Sequence, residues 1–334
     1  MQTELKEWME KSLYDPEYGF YSKNVASMSD YVTAPNFGPY IGWAISRELA
    51  DLINARYHVF DKEVFTLVEV ACASDASLAL AILENWKKEN LDLFNRTQVI
   101  LVDKSLPRLT AATKALSSVY PGKIFSCPDI NEIPKIKGAI ISNELLDSFP
   151  VHIVRRTDAR AEIAYIEVGG SNKKSISWKK CDDPEIATYA FDLPLNLPYA
   201  LNLDAFSFIE TAANKLDTGV LLTMDYGDVR PKLFTRSPLK AFSKGQVKFP
   251  DLNSIGKEDL TSPVDFDLLM DVGESSGFEN IYYENLGAFL LKNNIKELWK
   301  DSQVLENIKE NLKIKAMFHP LGFGNDFKVL IQGK

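Results

Sequence analysis

Between positions 64 and 142, short apolar runs alternate with longer segments whose apolar residues recur every three or four positions. The runs Val64 to Val70, Thr97 to Val102, Lys123 to Ser126 and Lys137 to Ser142 have the length and β-branched content of strands. The segments Asp75 to Glu89 and Ser105 to Ser118 between them carry helical periodicity. This βαβ rhythm predicts an α/β fold: a parallel sheet covered on both faces and joined by right-handed crossovers. Ahead of it lie an amphipathic helix over Met1 to Ser12, an aromatic turn from Leu13 to Tyr21, an extended piece from Asp30 to Pro35 and a helix from about Pro39 to Arg56.

After the fourth strand the pattern changes. Val151 to about Pro198 reads as short alternating strands, such as Ala161 to Val168, and marks a β-rich insertion. The earlier rhythm then returns with a helix from Asp204 to Leu216 and a strand from Gly219 to Asp225. An irregular stretch from Tyr226 to Leu260 follows, then a helix from Val264 to Ser275 and strands near Asn280 to Tyr283 and Asp326 to Gln332. The organisation expected is an extension over 1–60, the first part of the main domain over 61–150, an insertion over 151–200 and the second part over 201–334.

Composition narrows the class. With 334 residues, 46% hydrophobic and 25% charged, the chain has the make-up of a globular protein with a large core. Its 38 basic and 46 acidic residues give a net charge of −8, which argues against a nucleic-acid footprint. No run approaches the length of a membrane span, and the glutamates of the first twelve residues suit neither a secretory signal nor a transit peptide. The three cysteines, Cys72, Cys127 and Cys181, and the three histidines, His58, His152 and His319, are spaced for neither a disulfide framework nor a metal site. A reducing compartment follows, with a bacterial cytoplasm as the first expectation and a mitochondrial matrix as the alternative.

Open α/β sheets bind ligands beyond the carboxyl ends of their strands, which brings forward Glu69, Asp103, Asn143, Glu144 and Asp225. The turn after the first strand is Ala71-Cys-Ala-Ser-Asp75, with Ala71, Ala73 and Asp75 where a nucleotide-binding turn has glycines. Asp103 has two readings of equal weight: an acceptor for ribose hydroxyls, or a cap for the helix beginning near Ser105. Ser74 and Asp75 read first as caps of their own helix. An acid at that helix start disfavours a pyrophosphate, which weakens a nicotinamide-dependent oxidoreductase, and tolerates a ligand bearing an ammonium.

Six pieces occur in order: Tyr14-Asp-Pro-Glu-Tyr-Gly-Phe-Tyr21, Asp30-Tyr-Val-Thr-Ala-Pro35, Ile141-Ser-Asn-Glu-Leu-Leu-Asp-Ser-Phe-Pro-Val151, Met224-Asp-Tyr-Gly227, Asp259-Leu-Thr-Ser-Pro-Val-Asp-Phe266 and Gly324-Asn-Asp-Phe-Lys-Val-Leu330. Together they resemble the MidA-like S-adenosylmethionine-dependent methyltransferases, whose mitochondrial members are arginine methyltransferases serving assembly of respiratory complex I. The resemblance implies a Rossmann-like class I methyltransferase sheet of seven mostly parallel strands, with an N-terminal helical extension and a β-rich insertion. It implies S-adenosylmethionine as cofactor, held by Glu69, Ala71, Ala73, Asp75, Asp103 and Asn143, and an acceptor met by Glu144 and Asp147. Carboxylates suit a guanidinium, because they hold its planar fork by charge-assisted hydrogen bonds.

The departures concentrate at the ligand positions. The family pattern Glu-Val-Gly-x-Gly-x-Gly is Glu69-Val-Ala-Cys-Ala-Ser-Asp75 here, a family histidine is replaced by Pro263, Gly-Asp-Phe by Ser29-Asp30-Tyr31, and a glutamate by Asn36. Two functions therefore stand side by side. One is a methyltransferase acting on an arginine of a protein, such as a respiratory-complex subunit; the other is a catalytically silent homologue working as an assembly or interaction protein.

Overall fold

A computed structural model of the chain describes residues 2–23, 38–56, 63–170, 173–243, 246–301, 303–319 and 322–334. The chain divides into two compact units, one formed by Met1–Tyr31, Leu146–Phe208 and Gly227–Leu269, the other by Val32–Leu145, Ile209–Tyr226 and Met270–Lys334.

The main path of the largest described sheet has seven strands, β1 (Phe65–Val70), β2 (Thr97–Val102), β3 (Ile124–Cys127), β4 (Ile136–Asn143), β5 (Leu216–Asp228), β6 (Glu279–Asn285) and β7 (Phe327–Gly333), and a two-residue strand, Val264–Asp265, pairs with the last residues of β5. Their order is β3-β2-β1-β4-β5-β7-β6. β1 to β5 run parallel, while β7 lies antiparallel to both β5 and β6. Successive side chains of a strand point to opposite faces, so full burial of both sets means that both faces are covered. That is what β1 and β4 show: Leu67 and Ala139 are buried in one set, Val68 and Ile140 in the other. The helices Gly38–Arg56, Ser77–Glu89 and Leu106–Val119 pack Ile45, Ile82, Trp86 and Leu116 into the core containing Leu67 and Leu101. The Trp86 indole satisfies its N–H on the Ser46 carbonyl at 2.8 Å, so the large ring is buried without a stranded donor.

In the first unit, Ala161–Val168 is the hub of an antiparallel sheet, pairing with Gln2–Glu4, His152–Arg156 and Lys174–Lys180, with Tyr199–Leu201 on the far side of His152–Arg156. The amphipathic N-terminal helix begins later than its sequence pattern predicts, at Leu5, and ends at Tyr14. The residues before it form a strand because Ala161–Val168 offers them an edge. Leu5, Trp8, Met9 and Leu13 face Val151, Ile153, Ala164 and Ile166 in a separate core. The stretch 226–260, expected to be irregular, contains a short helix Arg230–Leu233 and contributes to a small sheet of Lys240–Ser243, Gln246–Lys248 and Asp259–Thr261. Strands this short are stabilised by their partners rather than by their own periodicity, which is why the pattern hides them. The extended segment Asp30 to Pro35, with the departures at Ser29, Asp30, Tyr31 and Asn36, lies outside the described residues, as does His58.

Candidate functional site

Because β2, β1 and β4 are adjacent and parallel, the loops leaving Val102, Val70 and Asn143 emerge at one edge of the sheet. The turn after β1 is held at its start by the Ala71 amide, which donates to the Val102 carbonyl at 2.8 Å, and further on by the Ala76 amide, which donates to the Ala73 carbonyl at 2.9 Å. Left-handed backbone occurs at Ala71 (φ 60°) and Ala76 (φ 49°), and at neither Ala73 nor Asp75. The glycine expectation is thus corrected: of the positions 71, 73 and 75, only 71 imposes the conformation glycine favours, and a second such demand falls on 76. The helix opens at Ser77, with Ala76 at its cap position making no side-chain cap bond. Asp75 still acts as the local cap, its Oδ1 accepting from the Ser77 amide at 3.0 Å.

Three carboxyl groups surround this turn. Glu69 is buried and its Oε2 accepts from the Ala79 amide at 3.1 Å. Burial raises its carboxyl to about 7, an effect the Ala79 bond opposes and the charges of Asp75 and Asp103 reinforce. Asp103 is buried and makes the capping bond that one sequence reading expected: its Oδ1 accepts from the Ser105 amide at 2.7 Å, while its Oδ2 lies 3.5 Å from the Arg108 guanidinium. Burial pushes its carboxyl up, and Arg108 pulls it back. Cys72 is buried within the turn, and that burial raises its thiol, leaving it a packing residue rather than a nucleophile.

At the end of β4, the Asn143 amide nitrogen approaches Glu144 Oε1 at 3.4 Å, and its Oδ1 is buried with no hydrogen-bond donor among the described residues. Such an acceptor carries a desolvation cost unless something donates to it. Glu144 sits at φ 50°, with its amide donating to the Met224 carbonyl at 3.0 Å. A bulky residue in left-handed backbone is a local strain of the kind that collects at ligand sites. Asp225 is buried within β5, one residue past the Met224 that pairs with Asn143, and its Oδ1 accepts from the Tyr226 amide at 2.9 Å.

Asp147 belongs to the other compact unit, so the two carboxylates expected to meet an acceptor fall on different bodies. Its Oδ2 accepts from the Thr261 hydroxyl at 2.8 Å and its backbone carbonyl from the Ser262 amide at 2.9 Å. Burial raises the Asp147 carboxyl, and the nearby Asp259 charge adds to this. The Tyr21 hydroxyl donates to Asp259 Oδ1 at 2.8 Å, and its ring lies 5.5 Å from that of Tyr14, whose hydroxyl donates to the Ser148 carbonyl at 2.9 Å. Three separated sequence pieces therefore converge here: Tyr14 to Tyr21, Ile141 to Val151 and Asp259 to Phe266. Tyr21, Asp259 and Thr261 were visible only as members of those pieces; no spacing linked them to Asp147. Phe20, by contrast, is plain core packing.

His152 is paired with Glu4 Oε1 at 2.5 Å, and no group of metal ligands occurs among the described residues. Nor is any described helix long and apolar enough to cross a membrane.

Sheet order, the antiparallel seventh strand and the loops gathered beyond β1, β2 and β4 define a Rossmann-like methyltransferase fold. Residues 48–283 match the family of S-adenosyl-L-methionine-dependent methyltransferases, and the chain belongs to that family, whose cofactor is S-adenosylmethionine. Over 299 residues it is 23% identical to the mitochondrial protein arginine methyltransferase NDUFAF7 homolog of Drosophila melanogaster. That match covers 81% of this chain and 66% of the relative, just under two thirds of its length. Two solved structures from Burkholderia thailandensis share the fold with TM-scores of 0.85 over 100% of this chain. One, an uncharacterised protein, is 19% identical and covered to 87%; the other, a likely methyl transferase bound to S-adenosyl-homocysteine, is 20% identical and covered to 88%.

Proposed function

We propose that this chain transfers a methyl group from S-adenosylmethionine to an arginine of a protein acceptor. The observation that carries the cofactor half is the electrostatics of the turn: Glu69, Asp75 and Asp103 gather at the sheet edge, with Arg108 facing Asp103. Two further carboxylates around Glu69 would repel the pyrophosphate of a dinucleotide, and they attract a ligand carrying a sulfonium and an ammonium. The residues fit such a ligand. Asp103 has lone pairs left beyond its bonds to Ser105 and Arg108 to accept from ribose hydroxyls, and the stranded Asn143 Oδ1 is an acceptor for an ammonium N–H. Turn residues Ala71, Ala73 and Asp75 would line the same edge. Their missing glycines do not forbid this, because the backbone at Ala71 already holds the left-handed conformation that a glycine there would supply.

The bound cofactor supplies an electrophilic methyl group on a positive sulfur. The chain's part is to hold the acceptor nitrogen in line and keep water out. Glu144 would accept hydrogen bonds from a guanidinium, and Asp147, held by Thr261 within its own unit, offers a carboxylate of the same chemistry. A protein arginine is favoured over a small acceptor by the named activity of the Drosophila relative.

Calorimetric titration with S-adenosylmethionine, S-adenosylhomocysteine and NAD tests the cofactor, and incorporation of labelled methyl into a cell extract, followed by hydrolysis to amino acids, tests the acceptor. The expected result is binding of the first two ligands and label in methylarginine. Absence of binding, even in Ala71→Gly/Ala76→Gly, would overturn the cofactor assignment. Binding without transfer would establish the silent homologue instead, and label in another amino acid would overturn the arginine.

A further inference from the structure

The helix Leu106–Val119 follows β2, and its first turn is Leu106, Pro107 and Arg108. No acidic residue stands in that turn, and the cap residue Ser105 makes no side-chain cap bond. The Ser105 amide donates instead to Asp103 Oδ1 at 2.7 Å. A helix start carries partial positive charge, so a cation in the first turn is out of place for helix stability. Arg108 nevertheless folds back over that start: its Nη1 lies 3.5 Å from Asp103 Oδ2, with the two side chains only 16% and 6% exposed. Its charge also reaches the turn after β1, where it pulls the Cys72 thiol down against the burial that raises it. Burying an ion pair brings little net stability, because desolvation offsets the attraction.

The two oxygens of Asp103 are tied unequally. Oδ1 is committed to Ser105, whereas Oδ2 meets a charge at a distance too long for a strong hydrogen bond and keeps a lone pair for another donor. A carboxylate is the stronger acceptor while it is charged, and burial opposes that charge. Arg108 opposes the burial. Glu69 and Asp103 thereby part company: burial leaves the first protonated until about pH 7, and Arg108 favours the charged form of the second.

Given the cofactor reading proposed above, we infer that Arg108 is a positioning residue: it holds Asp103 charged, with Oδ2 open to accept from the ribose hydroxyls. It acts through Asp103 and not by touching the ribose itself.

Calorimetric titration of the full chain with S-adenosylhomocysteine, and with its analogue lacking both ribose hydroxyls, tests this alongside thermal melting of every variant. Arg108→Gln should bind S-adenosylhomocysteine about tenfold more weakly and the analogue less than about twofold more weakly, because the analogue has no hydroxyl to donate to Asp103. Arg108→Lys keeps the charge without the planar fork and should recover about threefold of that loss. Asp103→Asn should weaken S-adenosylhomocysteine about tenfold, and adding Arg108→Gln to it should cost less than about twofold more. Equal losses on both ligands overturn the inference, since Arg108 would then serve another part of the cofactor or the fold alone. So do additive losses from the two substitutions. If Arg108→Gln does not fold, Arg108→Lys makes the same comparison, with a loss of about threefold confined to S-adenosylhomocysteine. No binding by the natural chain overturns the cofactor reading itself, whereas binding that ignores Arg108 overturns only the role given to Arg108.

Discussion

Two places in the molecule ask for glycine for different reasons, and only one of them has it. At Ala71 the demand is conformational: φ is 60°, and an alanine there carries a strain of roughly 1–2 kcal/mol while leaving the turn intact. At Gly227 the demand is spatial. The residue pairs in parallel with Val264, and a Cβ on it would lie 2.2 Å from the Val264 carbonyl oxygen. Strain of the first kind is a torsional cost at a turn that meets no backbone collision, so the fold tolerates it. A backbone collision inside a strand pair has no such outlet, and the Met224-Asp-Tyr-Gly227 piece keeps its glycine where the cofactor turn has lost three.

The largest expected effect tests the spatial demand. Gly227→Ala should lose about 3 kcal/mol of stability in urea unfolding, the cost of overpacking where neither neighbour can yield. A loss below about 0.5 kcal/mol would remove the contrast. Next comes the acid beneath the turn. The folded Glu69 carboxyl titrates near 7 against an ordinary 4.5, so it keeps its proton where the unfolded chain has lost one. Its contribution is complete below about pH 4.5 and falls as pH rises to about 7, a loss of about 3 kcal/mol. Glu69→Gln, which cannot ionise, should melt higher than the natural chain at pH 8 and show a flatter pH profile across that window.

A smaller effect separates ligand strain from fold strain. Asn143→Ala removes an acceptor that nothing in the described chain satisfies, so the unfolding midpoint should stay nearly unchanged while S-adenosylmethionine affinity drops about tenfold. Equal losses in both would make Asn143 a structural residue. The smallest effect is the most specific. Ala71→Gly and Ala76→Gly should each gain about 0.5 kcal/mol, whereas Ala73→Gly should lose about as much, since it only adds freedom to the unfolded chain. Gains at all three positions would mean that the turn relaxes elsewhere.

Much of this architecture was legible before any coordinates. The alternation from Val64 to Ser142 gave four strands whose ends lie within one residue of those observed, because the buried strands β1, β2 and β4 are rich in Val, Ile and Leu and are bounded by helical periodicity. Gln2–Glu4 and Gln246–Lys248 were invisible, since three-residue segments this polar become strands only when a neighbour presents an open edge. At the sheet edge proposed to hold the cofactor, the candidates were legible one by one from strand ends. The effect of Asp75 and Asp103 on Glu69 was not, because it acts through space rather than along the chain.

By itself, then, the sequence determined the class of sheet, the loops that could hold a ligand and the family whose ordered pieces it carries. These rest on local periodicity and residue identity, which the chain states directly. Only the tertiary structure decided that Ala71 and Ala76 rather than Ala73 and Asp75 hold the left-handed turns, that Asn143 Oδ1 meets no donor among the described residues, and that Asp147 is held by Thr261 from more than a hundred residues away. Backbone conformation at a turn and the partners of a buried polar atom are set by what packs around them, and that surrounding is assembled from distant parts of the chain.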